Sequence, residues 1–118
     1  YMFGKGIYFA DMVSKSANYC SANSASPTAV LLLCDVALGE QYERLSAEYE
    51  AAQASAAAKK HSTWGVGKSA PAEEGARQLD QVKVPMGVAR PSEALARLER
   101  LSAGEGLASP ALLYNEFI

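Results

Sequence analysis

The sequence feature that most constrains the fold is an apolar run at residues 28–38, TAVLLLCDVAL, which ends at Gly39. The run is far shorter than the roughly 20 residues that a membrane-spanning helix needs. Dense Val and Leu over such a length are typical of a strand that is buried on both faces of a sheet. We therefore predict that residues 28–38 form a central core strand.

The size and charge of the chain limit what it can be. With 118 residues and 49% hydrophobic composition, it can bury one small α/β-type core but not two independent domains. Its 11 Lys and Arg residues against 13 Asp and Glu residues give a net charge of -2. The sequence thus lacks the basic field that holds nucleic acid by counterion release, and this excludes a DNA-binding module.

The cysteines and the single histidine do not form a metal-binding pattern. Cys20 and Cys34 lack CxxC spacing, and with one His they cannot complete a four-ligand zinc site. We predict reduced, intracellular thiols. Because the chain opens without a signal peptide and has no membrane-length apolar run, we expect a soluble protein without a membrane partner.

Turn and capping signals divide the chain into short elements. Residues 6–10 predict a strand, and Asp11 predicts the N-cap of a helix over residues 12–20. Ser92 predicts the start of another helix, and residues 111–118 predict a final strand. The helix that begins at Ser92 has a leucine stripe and a glycine stop, formed by Leu95, Leu98, Leu101, Gly104 and Gly106.

The remaining stretches give weaker patterns. Residues 40–58 are rich in Ala and Glu, which favours a surface helix or a flexible insertion. Residues 61–71 have the composition of a loop. Residues 78–88 favour an edge strand or an extended loop, because Pro85 interrupts them.

Part of the loop-like stretch is similar to a phosphate-binding P-loop. Residues 62–69 read STWGVGKS, but Ser62 stands where the first glycine is required. No buried strand precedes the motif and no convincing helix follows it. We therefore do not expect a nucleoside triphosphate site there.

The densest group of chemically useful side chains is the opening segment, YMFGKGIYFADMVSKSANY at residues 1–19. Helical spacing puts Ser16 and Tyr19 one turn apart on the same side, downstream of Tyr8. An aromatic ring beside a hydroxyl suits a flat ligand ring that carries an amide. The alternative is that the tyrosines are ordinary core aromatics and Ser16 is solvated, and spacing alone favours that alternative.

A family resemblance changes this assessment. Residues 4–19 resemble the signature of the poly(ADP-ribose) polymerases, closest to the nuclear members that respond to DNA damage. Residues 32–39 resemble the next core strand of that family, and residues 60–68 resemble one of its loops. LLYNE at residues 112–116 resembles the strand that bears the catalytic acid. Order and spacing agree over the whole chain.

The resemblance implies an α+β fold, a partial ADP-ribosyltransferase fold of mainly antiparallel strands with short flanking helices. The chain opens at Tyr1 inside the motif and stops at Ile118 inside an apolar run. We therefore expect residues 1–118 to be the C-terminal part of a catalytic domain. Residues 43–59 and 90–110 depart from the family pattern and are expected to be divergent loop or helix insertions, while the zinc-binding cluster of the tankyrase branch has no counterpart.

Site roles also follow from the resemblance. Tyr19 would stack on the nicotinamide ring of NAD+, and Ser16 would hold its carboxamide. Tyr8 would be the tyrosine of the family's His-Tyr-Glu triad, Lys15 would lie near the nicotinamide ribose, and Glu116 would be the catalytic glutamate. The resemblance also puts Gly6, Phe9 and Ala10 beside the cofactor. The triad histidine has no match in the chain, and His61, which falls in a different loop, is expected to be solvated or structural.

The chemistry explains why a single carboxylate suffices. Breaking the bond between nicotinamide and ribose builds positive charge on the sugar, as in glycoside hydrolysis. Glu116 can accept a hydrogen bond from the ribose 2′-hydroxyl and orient an incoming acceptor hydroxyl. Without the resemblance, a lone Glu in a terminal strand would be read as a solvated edge residue.

The resemblance therefore implies an NAD+ ADP-ribosyltransferase that modifies protein acceptors and elongates ADP-ribose chains, with NAD+ as substrate and no metal in this segment. DNA would be contacted only through regions outside the segment, and the location would be nuclear. Two alternatives remain open at this point. The chain can belong to a mono-ADP-ribosyltransferase, or to a catalytically silent NAD-binding or interaction module.

Overall fold

The computed structural model describes residues 1–102 and 109–118. Within these ranges the helices are α1 (Val13–Ala17), α2 (Ala51–Ala57) and α3 (Glu93–Leu101), and a 3-10 turn spans Glu73–Gly75. The strands are β1 (Gln41–Arg44), β2 (Ser62–Gly65), β3 (Ser69–Pro71), β4 (Arg77–Leu79), β5 (Val82–Val84), β6 (Ala89–Pro91) and β7 (Glu116–Phe117).

The described strands form one sheet of three strands and two strand pairs. The sheet has the order β1-β2-β7, in which β1 runs parallel to β2 and β7 runs antiparallel to it. The pairs β3-β6 and β4-β5 are both antiparallel. The predicted fold class, α+β with mainly antiparallel strands and short flanking helices, is confirmed.

The packed core lies where β2 meets the opening segment and the last residues of the chain. Phe3 and Val66 are fully buried. Gly65 in β2 lets the Phe3 ring approach the backbone, since a Cβ at this position would lie 2.6 Å from a Phe3 ring carbon and 2.8 Å from the Leu112 side chain. This close contact packs the opening segment against β2, the strand that pairs with β7.

Helix α3 forms as predicted. The Ser92 side chain caps it by accepting a hydrogen bond from the Leu95 backbone N–H at 3.2 Å. Leu95 and Leu98 are half-buried, whereas Leu101 is exposed. The predicted stop at Gly104 and Gly106 lies outside the described residues.

The prediction of a core strand at residues 28–38 is wrong. The stretch contains no strand and no buried side chain, and most of its apolar side chains are exposed, with Leu32 84% accessible and only Val36 and Leu38 half-buried. None of its backbone N–H groups donates a hydrogen bond to another residue in the described part of the chain. A strand needs a neighbouring backbone, and here the described residues do not provide one.

The prediction of a loop at residues 61–71 is also wrong. The stretch forms β2 and β3, because β1, β7 and β6 supply backbone partners for it. Its Gly and Ser content suggests a loop, but Gly65 and Gly67 are buried and meet other chain segments closely. Tertiary pairing overrides local composition here.

Four other predictions are met in part. Residues 6–10 give one antiparallel bridge, in which Phe9 and Phe117 exchange backbone hydrogen bonds of 2.8 and 2.9 Å. The final strand, predicted over residues 111–118, forms only at β7. Residues 40–58 contain α2, but β1 precedes it. Residues 78–88 are predicted as an edge strand or an extended loop, and the structure instead has the β4-β5 hairpin, which ends before Pro85, so that prediction is met only in part.

Both cysteines are free, Cys20 half-buried and Cys34 exposed. Among the described residues, no helix combines the length and the apolar character that crossing a membrane requires.

Candidate active site

A cavity of about 530 Å³ lies between the opening segment, α1 and β7. It brings together side chains from both ends of the sequence. They are Tyr1, Met2, Tyr8, Phe9, Ala10, Lys15, Ser16, Tyr19, Leu112 and Glu116.

Backbone pairing explains why these distant residues meet. The bridge between Phe9 and Phe117 holds the opening segment against β7, and α1 follows shortly after the bridge. Side chains on one face of α1 therefore point towards the strand that carries Glu116. The Glu116 backbone is in turn paired with Gly65 in β2, so the carboxylate stands on the three-stranded sheet.

Lys15 and Glu116 form the most buried ion pair in the described part of the chain. The Lys15 Nζ lies 3.3 Å from Glu116 Oε2, and the two side chains are only 15% and 9% exposed. The same ammonium donates to the backbone oxygens of Tyr114 at 3.4 Å and Asn115 at 3.3 Å. All three N–H groups of Lys15 thus have acceptors on or beside β7. This arrangement fixes the ammonium beside the carboxylate.

Glu116 is directed into the cavity by the alternation of side chains along the strand. Successive side chains of a strand point to opposite faces. Glu116 lines the first cavity, whereas Asn115 and Phe117 line a second cavity of about 410 Å³. The buried carboxylate therefore faces a space that can hold a ligand.

Tyr8 lines the cavity with its ring and turns its hydroxyl to the backbone. The hydroxyl donates to the Gly4 oxygen at 2.6 Å and accepts from the Phe3 N–H at 3.2 Å. Burial raises the pKa of Tyr8 above its usual value, and the negative charge of Glu116 adds to the rise, while the Phe3 hydrogen bond opposes it. Tyr8 is therefore a neutral hydrogen-bond donor at physiological pH.

Ser16 and Tyr19 line the same cavity, on and just beyond α1. Ser16 is half-buried, whereas the Tyr19 side chain is 80% exposed. The Tyr19 backbone N–H donates to the Ser16 oxygen at 3.1 Å, so the turn after α1 fixes the spacing between them. The arrangement presents an open aromatic face beside a hydroxyl.

The other sequence-predicted residues divide between the cavity and its surroundings. Phe9 and Ala10 line the cavity, but Gly6 does not line it and packs beside Ile118. His61 is exposed, and its Nδ1 accepts a hydrogen bond from the Glu40 backbone N–H at 2.9 Å. That contact agrees with the structural alternative predicted for His61.

The prediction that Asp11 caps α1 is wrong. Met12 occupies the N-cap position and makes no side-chain capping bond. The Asp11 Oδ2 atom instead accepts a hydrogen bond from Asn115 Nδ2 at 2.7 Å. No local pattern predicts this long-range contact, and the polar Asn115 within an apolar stretch was the one available signal. Tyr1, Met2 and Leu112 also line the cavity without a sequence signal for it.

The stretch that is similar to a P-loop does not present free backbone donors. The Gly67 N–H donates to Asn115 Oδ1 at 3.0 Å. A Cβ on Gly67 would lie 2.3 Å from the Tyr114 carbonyl carbon, so the glycine serves close packing. Within residues 1–102 and 109–118, no three His, Cys, Asp or Glu side chains are grouped so that they could hold a metal ion.

Comparison with known proteins identifies the family. The family model described as "Poly(ADP-ribose) polymerase catalytic domain" matches residues 1–118. The chain belongs to the poly(ADP-ribose) polymerase catalytic domain family. Similar curated proteins include "Poly [ADP-ribose] polymerase 2" of Arabidopsis thaliana, 50% identical over 119 residues, and "Poly [ADP-ribose] polymerase 1" of Gallus gallus, 44% identical over 118 residues.

The similarity covers the whole of this chain but little of these relatives. It spans 100% of this chain, 16% of the Arabidopsis protein and 10% of the chicken protein. The first and last segments of the chain, which carry the cavity, are both inside the family match.

Proposed function

We propose that the chain carries the nicotinamide-binding and catalytic part of an NAD+ ADP-ribosyltransferase. The observation that carries the proposal is the cavity in which Ser16 and Tyr19 face Glu116, with Lys15 paired to the carboxylate at 3.3 Å. The enzyme transfers ADP-ribose from NAD+ to protein acceptors and releases nicotinamide. Membership of the family supports the reaction class.

Nicotinamide binds in the cavity against Ser16, on α1, and Tyr19, just beyond the helix. Its flat ring stacks on Tyr19, whose ring is open to the cavity, and its carboxamide exchanges hydrogen bonds with the Ser16 hydroxyl. Phe9 and Ala10 supply apolar wall beside the ring, and the neutral Tyr8 ring closes one side. Fixing the carboxamide in this way orients the bond that must break.

Glu116 acts on the ribose. When the bond between the nicotinamide nitrogen and ribose C1′ breaks, its electron pair leaves with nicotinamide and the sugar becomes positively charged. The carboxylate accepts a hydrogen bond from the ribose 2′-hydroxyl and stabilises that charge as it develops. It also orients an incoming acceptor hydroxyl. Lys15, held by the backbone oxygens next to β7, fixes the direction of the carboxylate.

We further propose that the product is a chain of ADP-ribose units, which is supported by relatives that bear the name poly(ADP-ribose) polymerase. Product length on a gel separates chain elongation from single transfer. A ladder of long products supports the proposal, and a single added unit contradicts it.

We also propose that residues 1–118 form the C-terminal part of a larger catalytic domain, with residues 43–59 and 90–110 as divergent segments. The exposed apolar stretch 28–38 supports the first point, because a partner strand from elsewhere in the protein would cover it. Contact with DNA belongs to other regions, and the protein acts in the nucleus, which imaging of a fluorescent fusion checks.

The substitution Glu116→Gln in the full-length protein tests the proposed function. We expect nicotinamide release to fall by about 100-fold or more while NAD+ affinity changes little, because the lost charge matters mainly in the transition state. Glu73→Gln is the matched control, since Glu73 pairs with Lys83 at 2.7 Å outside this cavity. A Glu116→Gln protein with full turnover would remove Glu116 from the mechanism.

A further inference from the structure

The side chain of Asn115, directly before Glu116, lies at the centre of a buried hydrogen-bond network. Asn115 is 2% exposed. Its Oδ1 accepts from Trp64 Nε1 at 3.1 Å and from the Gly67 N–H at 3.0 Å, and its Nδ2 donates to Asp11 Oδ2 at 2.7 Å. The amide thus joins β2, the residues after β2 and the turn before α1.

Only an amide of this length satisfies these partners. The Oδ1 atom uses its two lone pairs on two N–H donors, and the NH₂ group faces a carboxylate, so the orientation of the amide is set by its neighbours. An ionised aspartate could accept from Trp64 and Gly67 but could not donate to the Asp11 carboxylate. A leucine of similar size would leave all three partners unpaired in a buried place.

The network connects the two segments that carry the ion pair. Asp11 immediately precedes the N-cap of α1, the helix that carries Lys15, and Asn115 is the backbone neighbour of Glu116. Lys15 also donates to the Asn115 backbone oxygen at 3.3 Å. A shift of the Asp11–Asn115 contact would therefore move both partners of the ion pair.

The Asp11–Asn115 contact lies behind the candidate active site and does not line it. Asp11 and Asn115 both border the second cavity, on the opposite face of β7 from Glu116. Trp64 and Phe117 stack on that same face, with ring centroids 5.8 Å apart. These side chains do not reach a ligand in the first cavity. They can affect the candidate active site only through the positions of β7 and α1.

Resting on the proposed function, we propose that Asp11 and Asn115 are positioning residues whose side-chain hydrogen bond sets the geometry of Lys15 and Glu116 for ADP-ribosyl transfer. The expected signature is a loss in kcat with ligand binding retained. Misplacing a reacting group by about 1 Å can lower a rate by about 100-fold.

A donor–acceptor swap in the full-length protein tests the inference. Asn115→Asp alone puts two carboxyl groups in contact, and we expect kcat for nicotinamide release to fall by about 10-fold or more, with Kd for nicotinamide within about threefold of the wild-type value. Asp11→Asn keeps the hydrogen bond, because its amide oxygen still accepts from Asn115, and we expect it to lower kcat less than Asn115→Asp does. The double variant Asp11→Asn/Asn115→Asp reverses the donor and the acceptor, and we expect kcat to return to within about threefold of wild type.

Two results would overturn the inference. One is an Asn115→Asp protein that melts at a lower temperature but keeps the wild-type kcat, which assigns the network to stability alone. The other is a double variant as slow as Asn115→Asp, which shows that the pair is not coupled. If Asn115→Asp does not fold, Asp11→Ala replaces it, and an unchanged kcat in that variant has the same meaning. The proposed function is judged separately on Glu116→Gln, which leaves the Asp11–Asn115 pair intact.

Discussion

Two stretches of this chain have similar apolar character, and the structure treats them in opposite ways. Residues 28–38 and residues 111–118 are both predicted as strands. The first is exposed and lacks a paired neighbour in the described part of the chain. The second is held from several sides, since Phe117 bonds to Phe9, Ile118 bonds to Thr63, and Asn115 joins the buried network. An apolar run predicts extended backbone, but partners decide whether that backbone becomes a strand.

The last stretch belongs to both the packed core and the candidate active site, whereas residues 28–38 belong to neither. The last stretch carries Glu116 on a paired strand and contributes to a packed core with Phe3. Residues 28–38 contribute neither a buried side chain nor a residue that lines the candidate active site. Substitutions in the two places should therefore have very different effects on the free energy of unfolding.

The largest expected effect is at Phe3, which is 1% exposed and lies against Gly65. We expect Phe3→Ala to lower the free energy of unfolding of the 118-residue chain by about 3–5 kcal/mol, because it removes a buried ring and leaves a cavity. Urea unfolding followed by the fluorescence of Trp64, the single tryptophan, measures the change. Tyr1→Ala is the control, since Tyr1 is exposed, and equal losses in the two variants would contradict the assignment of the core.

The sequence predicts some parts of this molecule better than others, and the reason is physical. Helix α3 is predicted because its cap at Ser92 and its leucines act within a few residues of each other. The resemblance of residues 4–19 and 112–116 also selects Tyr8, Lys15, Ser16, Tyr19 and Glu116, which do line one cavity. Their catalytic and binding roles stay predictions.

What the sequence does not predict depends on distant partners. Asp11 has the local features of an N-cap, yet its carboxylate accepts a hydrogen bond from Asn115, which is distant in the sequence. Residues 61–71 have the composition of a loop, yet β1, β6 and β7 pair with them. Such contacts follow from tertiary packing, which local propensity and spacing do not encode.

We expect an intermediate effect on stability at Asp11, whose partly buried carboxyl is hydrogen-bonded to Asn115. Burial raises the pKa of Asp11 above its ordinary value of 3.8, while the Asn115 hydrogen bond and the charge of Lys15 oppose the rise. A raised pKa means that the folded state binds the proton more tightly than the unfolded state, so stability falls as pH rises from about 3.8 through the folded-state pKa. Asp11→Asn removes this loss.

We therefore expect Asp11→Asn to raise the melting temperature at neutral pH and to give a smaller gain at a pH well below 3.8, where the wild-type carboxyl is largely protonated in both the folded and the unfolded state. Thermal unfolding at the two pH values measures the difference. Asp35→Asn makes the same change of charge at an exposed position within residues 28–38 and is the control. A gain that is equal at both pH values would show that burial of the Asp11 charge is not its cause.

The smallest effect is expected in the exposed stretch, at Leu32. Its side chain is 84% accessible, so Leu32→Ser exchanges one solvated group for another and should change the free energy of unfolding of the 118-residue chain by less than about 0.5 kcal/mol. The same substitution at Leu112, which is half-buried and would contact a Cβ on Gly65, should lower it by about 1–2 kcal/mol. Urea midpoints of the two variants, compared at equal m-values, measure the contrast. A loss at Leu32 as large as that at Leu112 would mean that residues 28–38 are packed in solution, and the contrast between the two stretches would then be wrong.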